Sequence, residues 1–239
     1  MSSASGVVDT PRTMPVLAEV GLLWLGTLLL IRLCVFLVQT AGLHELILAA
    51  VPILFMYAPV VVCRLRGVDS WSYPLHIPAF SDREAWTTAL RFAGIAVAVT
   101  VVPWLVLYHL WQTLLGRSFQ GTPPPDIWML LAYHVFFVAI PEEFFYRGYM
   151  QTRLDELWRP RWRIFGADLG PGWLLTCLLF AFGHSLVVFQ WWHFAIIFPA
   201  LSFGWMRART HGVIAGALFH AWCNVTVNIL DTLYGVIQP

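Results

Sequence analysis

The chain has 239 residues, of which 59% are hydrophobic and only 11% charged, with 13 Trp and a net charge of +1; its mean hydropathy is +0.71. So little polar surface excludes a water-soluble domain of this size, and a near-neutral charge without a basic or acidic tail points away from nucleic acid and from acidic soluble partners. The chain must be solvated by lipid, and at about 20 apolar residues per crossing it can supply at most roughly eight spans in one bundle.

The polar stretch from Met1 to Thr13 lacks the basic start of a secretory signal peptide, so the first apolar run is expected to be retained. Apolar runs near 16–38, 43–63, 89–114, 127–150, 171–189, 191–207 and 211–236 predict an all-α polytopic bundle of about seven transmembrane spans. Between them, 64–88 reads as a polar loop with Trp71, Tyr73 and Trp86 suited to the membrane interface. Residues 116–126 read as a Gly/Pro turn around Pro123, Pro124 and Pro125, and 151–170 as a short amphipathic, Arg-rich connector. All 14 basic residues are Arg. With seven spans, Arg12, then Arg64, Arg66, Arg83 and Arg91, then Arg153, Arg159, Arg161 and Arg163, then Arg207 and Arg209 fall on one face, and Arg117 on the other. The positive-inside rule makes that face cytoplasmic, placing the N-terminus inside and the C-terminus outside. No repeat or second domain is visible, so residues 1–239 read as one membrane domain.

A polar side chain at bilayer depth is costly and faces a protein interior or a wet cavity. Three clusters stand out: Pro141-Glu142-Glu143-Phe144-Phe145-Tyr146-Arg147 in the fourth span, Phe180-Ala181-Phe182-Gly183-His184 in the fifth, and His220-Ala221-Trp222-Cys223-Asn224 in the seventh. Counted from the Arg-rich ends, Glu142 is about 12 Å deep, His184 about 16 to 20 Å and His220 about 14 Å, nearly one layer. Glu143 and Arg147 are spaced for a same-face ion pair, which leaves Glu142, about 100° around the helix, as the freer carboxylate. A carboxylate in a poorly hydrated site suits a general base, and a nearby His can share its proton. Pro141 removes a helix hydrogen bond just before it and is expected to loosen or kink the helix. In the seventh span His220 and Asn224 share a face, continued by Asn228, and can donate hydrogen bonds to a tetrahedral oxyanion. A set of Glu142, Glu143, His184 and His220 could also ligate a metal, although no H-E-x-x-H is present.

The three patterns, E-E-x-x-x-R, F-x-x-x-H and H-x-x-x-N in that order on successive apolar helices, resemble the CAAX protease and bacteriocin-processing (CPBP) family of intramembrane glutamic endopeptidases. The resemblance covers about residues 127–228 and includes Pro141 before the double Glu and Arg147-Gly148-Tyr149 after it. It implies that Glu142 and His184 activate water, that His220 and Asn224 stabilise the oxyanion, that Glu143 and Arg147 support the site, and that neither metal nor other cofactor takes part. The implied partner is a membrane-associated protein or peptide in the lipid bilayer. Eukaryotic relatives trim prenylated CAAX tails, whereas prokaryotic ones are linked to peptide maturation, bacteriocin self-immunity or removal of C-terminal sorting helices, as in myxosortase-type enzymes. A cytoplasm-leaning site in a short chain favours a processing enzyme of a prokaryotic cytoplasmic membrane, with sorting-signal or peptide processing ranked above prenyl-protein processing.

Two other readings compete. A non-catalytic membrane protein would use Glu142 as a proton relay or would only bind, as an immunity factor does; a thiol enzyme would use Cys177 or Cys223. Otherwise Cys34, Cys63, Cys177 and Cys223 read as buried small apolar residues, and Phe180 and Phe182 as packing. His44, His76, His109, His134, His193 and His211 read mostly as interfacial. Trp71, Trp104, Trp111, Trp128, Trp158, Trp162, Trp191 and Trp192 read as interface anchors.

Overall fold

In lipid no water is available to a backbone group, so each apolar run of this sequence closes its backbone hydrogen bonds locally as a helix. The computed structural model describes residues 15–75 and 77–237; the polar stretch 1–13 with Arg12, and His76, lie outside the described residues. Seven helices follow in order: α1 (Val16–Ala41), α2 (Glu45–Leu65, opening with a 3-10 turn), α3 (Arg83–Leu114), α4 (Ile127–Leu157), α5 (Pro171–Val187), α6 (Ile197–Thr210) and α7 (Ile214–Leu233). The first four are each long and apolar enough to cross a membrane, and α5 is apolar but shorter, at 17 residues.

The seven helices match the seven predicted runs, with differences at the ends. Helix α3 starts at Arg83, earlier than expected, because Asp82 caps it by accepting from the Ala85 N–H at 3.0 Å. The expected connector over 151–170 is instead the last turns of α4 followed by a hairpin of β1 (Trp162–Ile164) and β2 (Ala167–Leu169). Its two-residue turn, Phe165-Gly166, has both φ angles positive, at 47° and 79°, as the mirror-image turns that match strand twist require. A search for apolar runs passes over strands of three residues.

Helix α6 meets α4 and α5 closely. The Trp173 indole N–H donates to the Leu201 carbonyl at 3.1 Å, and the Gln151 amide donates to the Gly204 carbonyl at 3.1 Å. A Cβ at residue 204 would lie 2.5 Å from Trp173 Cδ1 and 2.7 Å from Gln151 Oε1. Gly204→Ala is therefore expected to lower stability by about 1–3 kcal/mol, read as a lower thermal midpoint of the detergent-solubilised chain; an unchanged midpoint would contradict this packing.

The Arg-rich end is tied shut by a network that sequence reading missed. Glu19 of α1 is buried and accepts from the Tyr149 hydroxyl at 2.6 Å and from Arg153 Nε at 2.9 Å, while Arg66 Nε lies 3.4 Å away. Arg66 also donates to the Tyr73 hydroxyl at 2.9 Å. Tyr73, expected at the interface, is only 2% exposed. Burial pushes its phenol up, so it remains an O–H donor, facing Glu156 Oε2 at 3.4 Å. At the opposite end Arg32, which the topology reading passed over, donates from Nη1 to the last carbonyls of α5, Leu186 at 3.0 Å and Val187 at 2.8 Å. A cation there complements the negative end of the helix dipole.

Candidate active site

The site begins with the winding of α4. Around Pro141 the helix changes register: His134–Ala139 and Phe144–Gln151 are π-wound, and Ile140–Glu143 between them is α. Proline offers no N–H, and wider turns absorb the mismatch without a break. The expected loosening at Pro141 thus takes the form of a changed pitch on either side of the two glutamates.

Glu142 and Glu143 face different neighbours. Glu143 is fully buried and accepts from Arg147 Nη1 at 3.0 Å, the pair read from their spacing. Arg147, also fully buried, donates from Nη2 to the Ala200 carbonyl at 3.3 Å. Its guanidinium lies 4.2 Å from the centroid of the Phe180 ring and 5.2 Å from that of Phe203, a desolvated cation–π arrangement. Phe180 is therefore packing with an electrostatic task.

Glu142 turns toward two imidazoles. Its Oε2 is 3.9 Å from His184 Nε2 and 3.8 Å from His220 Nε2, and that oxygen is buried without a hydrogen-bond partner among the described residues. His184 Nδ1 lies 2.8 Å from the Phe180 carbonyl. A carbonyl only accepts, so Nδ1 carries the hydrogen and the Nε2 lone pair faces Glu142. His220 Nδ1 lies 3.1 Å from Glu143 Oε1, and since Arg147 keeps that carboxylate an acceptor, Nδ1–H donates here as well. Residues from α4, α5 and α7 thus meet as the common layer required. Asn224 is half-buried one turn beyond His220, and its amide makes no side-chain hydrogen bond among the described residues.

A chamber of about 630 Å³ leads to Glu142 and His184. Its walls are largely apolar, from Leu28, Ile31, Val51, Phe55, Phe137 and Val187 among others. His220 and Asn224 do not line it; His220 Nε2 lies 3.8 Å from Glu142 Oε2. Two lining residues were missed. Tyr146 is four residues after Glu142, a same-face spacing that could have revealed it. His193 has its ring centroid 5.9 Å from that of His184; its place near a span end reads as interfacial, and nothing local in the sequence says otherwise. The chamber's exposed lining residues lie at the Arg-poor end.

The thiol reading has no comparable arrangement. The Cys177 thiol is fully buried, donates to the Ala200 carbonyl at 3.3 Å and, like Cys223, does not line the chamber. Among the described residues no group of three or more His, Cys, Asp or Glu is placed to hold a metal ion. Trp104 packs edge-on against Trp222 of α7, ring centroids 5.5 Å apart.

Residues 124–226 match the family model described as type II CAAX prenyl endopeptidase, Rce1-like. The matched segment holds all three polar clusters and runs from just before α4 into α7. No curated protein and no solved structure matches the chain. The family match supports an intramembrane endopeptidase in general.

Proposed function

We propose that this chain, whose residues 124–226 are Rce1-like, hydrolyses a peptide bond of a membrane-associated protein or peptide with water activated by Glu142 and His184. The observation that carries the reading is the placement of Glu142 Oε2 at 3.8–3.9 Å from two imidazole nitrogens. Those separations are too long for direct hydrogen bonds and suit a bridging water. Such a water donates to Glu142 and to the lone pair of His184. Its oxygen bonds to the scissile carbonyl carbon as Glu142 takes the proton, and the carbonyl π pair becomes the oxyanion. When the tetrahedral species collapses, the C–N bond breaks and the leaving amine takes the proton from Glu142.

Because Glu143 holds the Nδ1–H of His220, His220 can donate from Nε2 only as an imidazolium. His220, whose Nε2 lies 3.8 Å from Glu142 Oε2, and Asn224 one turn further are the donors this reading assigns to the oxyanion, reached past Glu142 rather than from the chamber wall, while Glu143 and Arg147 hold His220 in place. Of the substrate classes, a C-terminal sorting signal or a leader peptide ranks above a prenylated CAAX tail, in the cytoplasmic membrane of a prokaryote.

The test is cleavage of a membrane-presented peptide by the purified chain. Asn224→Ala is expected to lower kcat by about 10²–10³-fold, as loss of one oxyanion donor does, while Cys177→Ala, Cys223→Ala and a chelator leave it unchanged. Loss of activity with a chelator or with either cysteine variant would overturn the assignment.

A further inference from the structure

The two ends of the chamber differ in a way that the hydrolytic reading does not use. Its lining residues come from the halves of α1, α2 and α5 remote from the Arg-rich end, at positions 28–35, 45–55 and 183–187, and from 133–146 of α4. Toward the Arg-rich end the way is closed. Phe145, Tyr149 and Met150 are fully buried there, Glu19 ties α1 to α2 and α4, and Pro74 and Leu75 pack so tightly on Gly148 that a Cβ would lie 2.8 Å from Leu75 Cδ2. Toward the other end Leu46, Tyr133, Phe137 and Val188 are exposed, Leu46 by 74%. Helix α2 packs on α4 along Ile140–Gln151, and the opening lies beyond that contact.

Charge says what the opening accepts. The lining includes no Arg: its only carboxylates are Glu142 at the floor and Glu45 at the mouth, and its other titratable groups are His184, His193 and the phenols of Tyr133 and Tyr146. Arg32 stands near the rim with Nη1 committed to the α5 carbonyls. A substrate cut three residues from its C-terminus would bring a free carboxylate about 10 Å from the scissile bond, into apolar walls with no lining cation. Burying an unpaired carboxylate there is unfavourable. An internal stretch brings only amides and side chains. The Arg-rich end is cytoplasmic by the positive-inside rule. We propose that the chamber is loaded from the non-cytoplasmic end, by an internal apolar stretch of a membrane-associated polypeptide rather than by a free C-terminal tail; this rests on the endopeptidase reading above.

The test places one cysteine at each end of the full chain and reads labelling, above that of the parent, by a membrane-impermeant maleimide. Leu46→Cys is expected to label in intact cells and Arg159→Cys only in inverted vesicles. Once labelled, Leu46→Cys should cleave a membrane-presented peptide more slowly. Peptides ending three residues past the cut should be cleaved at least about tenfold faster as C-terminal amides than as free acids. Labelling of Leu46→Cys only in inverted vesicles, or equal cleavage of amide and acid, would overturn the proposal. Cleavage that still depends on Glu142 would in that case leave the hydrolytic reading standing, so the two failures are distinguishable.

Discussion

Glu142→Gln is expected to lower the rate of peptide cleavage by about 10²–10⁴-fold, the usual contribution of a positioned general base, while leaving the fold intact. Glutamine matches glutamate in shape, and Glu142 Oε2 makes no hydrogen bond among the described residues whose loss would unfold the chain. The substitution removes only the ability to take a proton from water. It should therefore appear in kcat, with KM and the thermal midpoint little changed. Turnover at the parent rate would remove Glu142 from the chemistry. A matched His184→Ala variant should lose activity similarly, because its Nε2 faces the same carboxylate at 3.9 Å.

Arg147→Met is expected to be the most destabilising single change in the site, at about 3–5 kcal/mol, the cost of leaving a buried partner charge unpaired. The guanidinium holds Glu143 and the Ala200 carbonyl and lies against two aromatic rings, with no part exposed to water. Removing it strands a carboxylate that is itself fully buried. The double variant Glu143→Leu with Arg147→Met should recover much of the loss, since apolar replacement of a whole buried pair is often neutral. Activity should not recover with stability, because His220 Nδ1 would have lost its acceptor, 3.1 Å away in the parent. A double variant as active as the parent would show that Glu143 has no part in orienting His220.

Much of this was legible in the residues themselves. The Glu143–Arg147 pair follows from a spacing of four on one helix, and the freedom of Glu142 follows from the same geometry. The meeting of Glu142, His184 and His220 was inferred from similar depths, and the coordinates place those three together while leaving Asn224 a turn away. The Glu19 network joins residues as far apart as 19 and 153, and His193 meets His184 only because the chain returns after α5. No local period encodes such contacts.

By itself the sequence determined that the chain is a bundle of apolar helices, roughly where each begins and ends, and which residues share a face, because lipid offers a backbone group no water and so makes apolar runs close their bonds as helices. Only the tertiary structure decided how those faces meet: which imidazoles approach Glu142, which end of the bundle Glu19, Tyr73 and Tyr149 close, and which end opens onto the chamber. The rotation of one helix against another is set by the fit of side chains distant in sequence, and in lipid close packing and interhelical hydrogen bonds supply most of the energy that selects it.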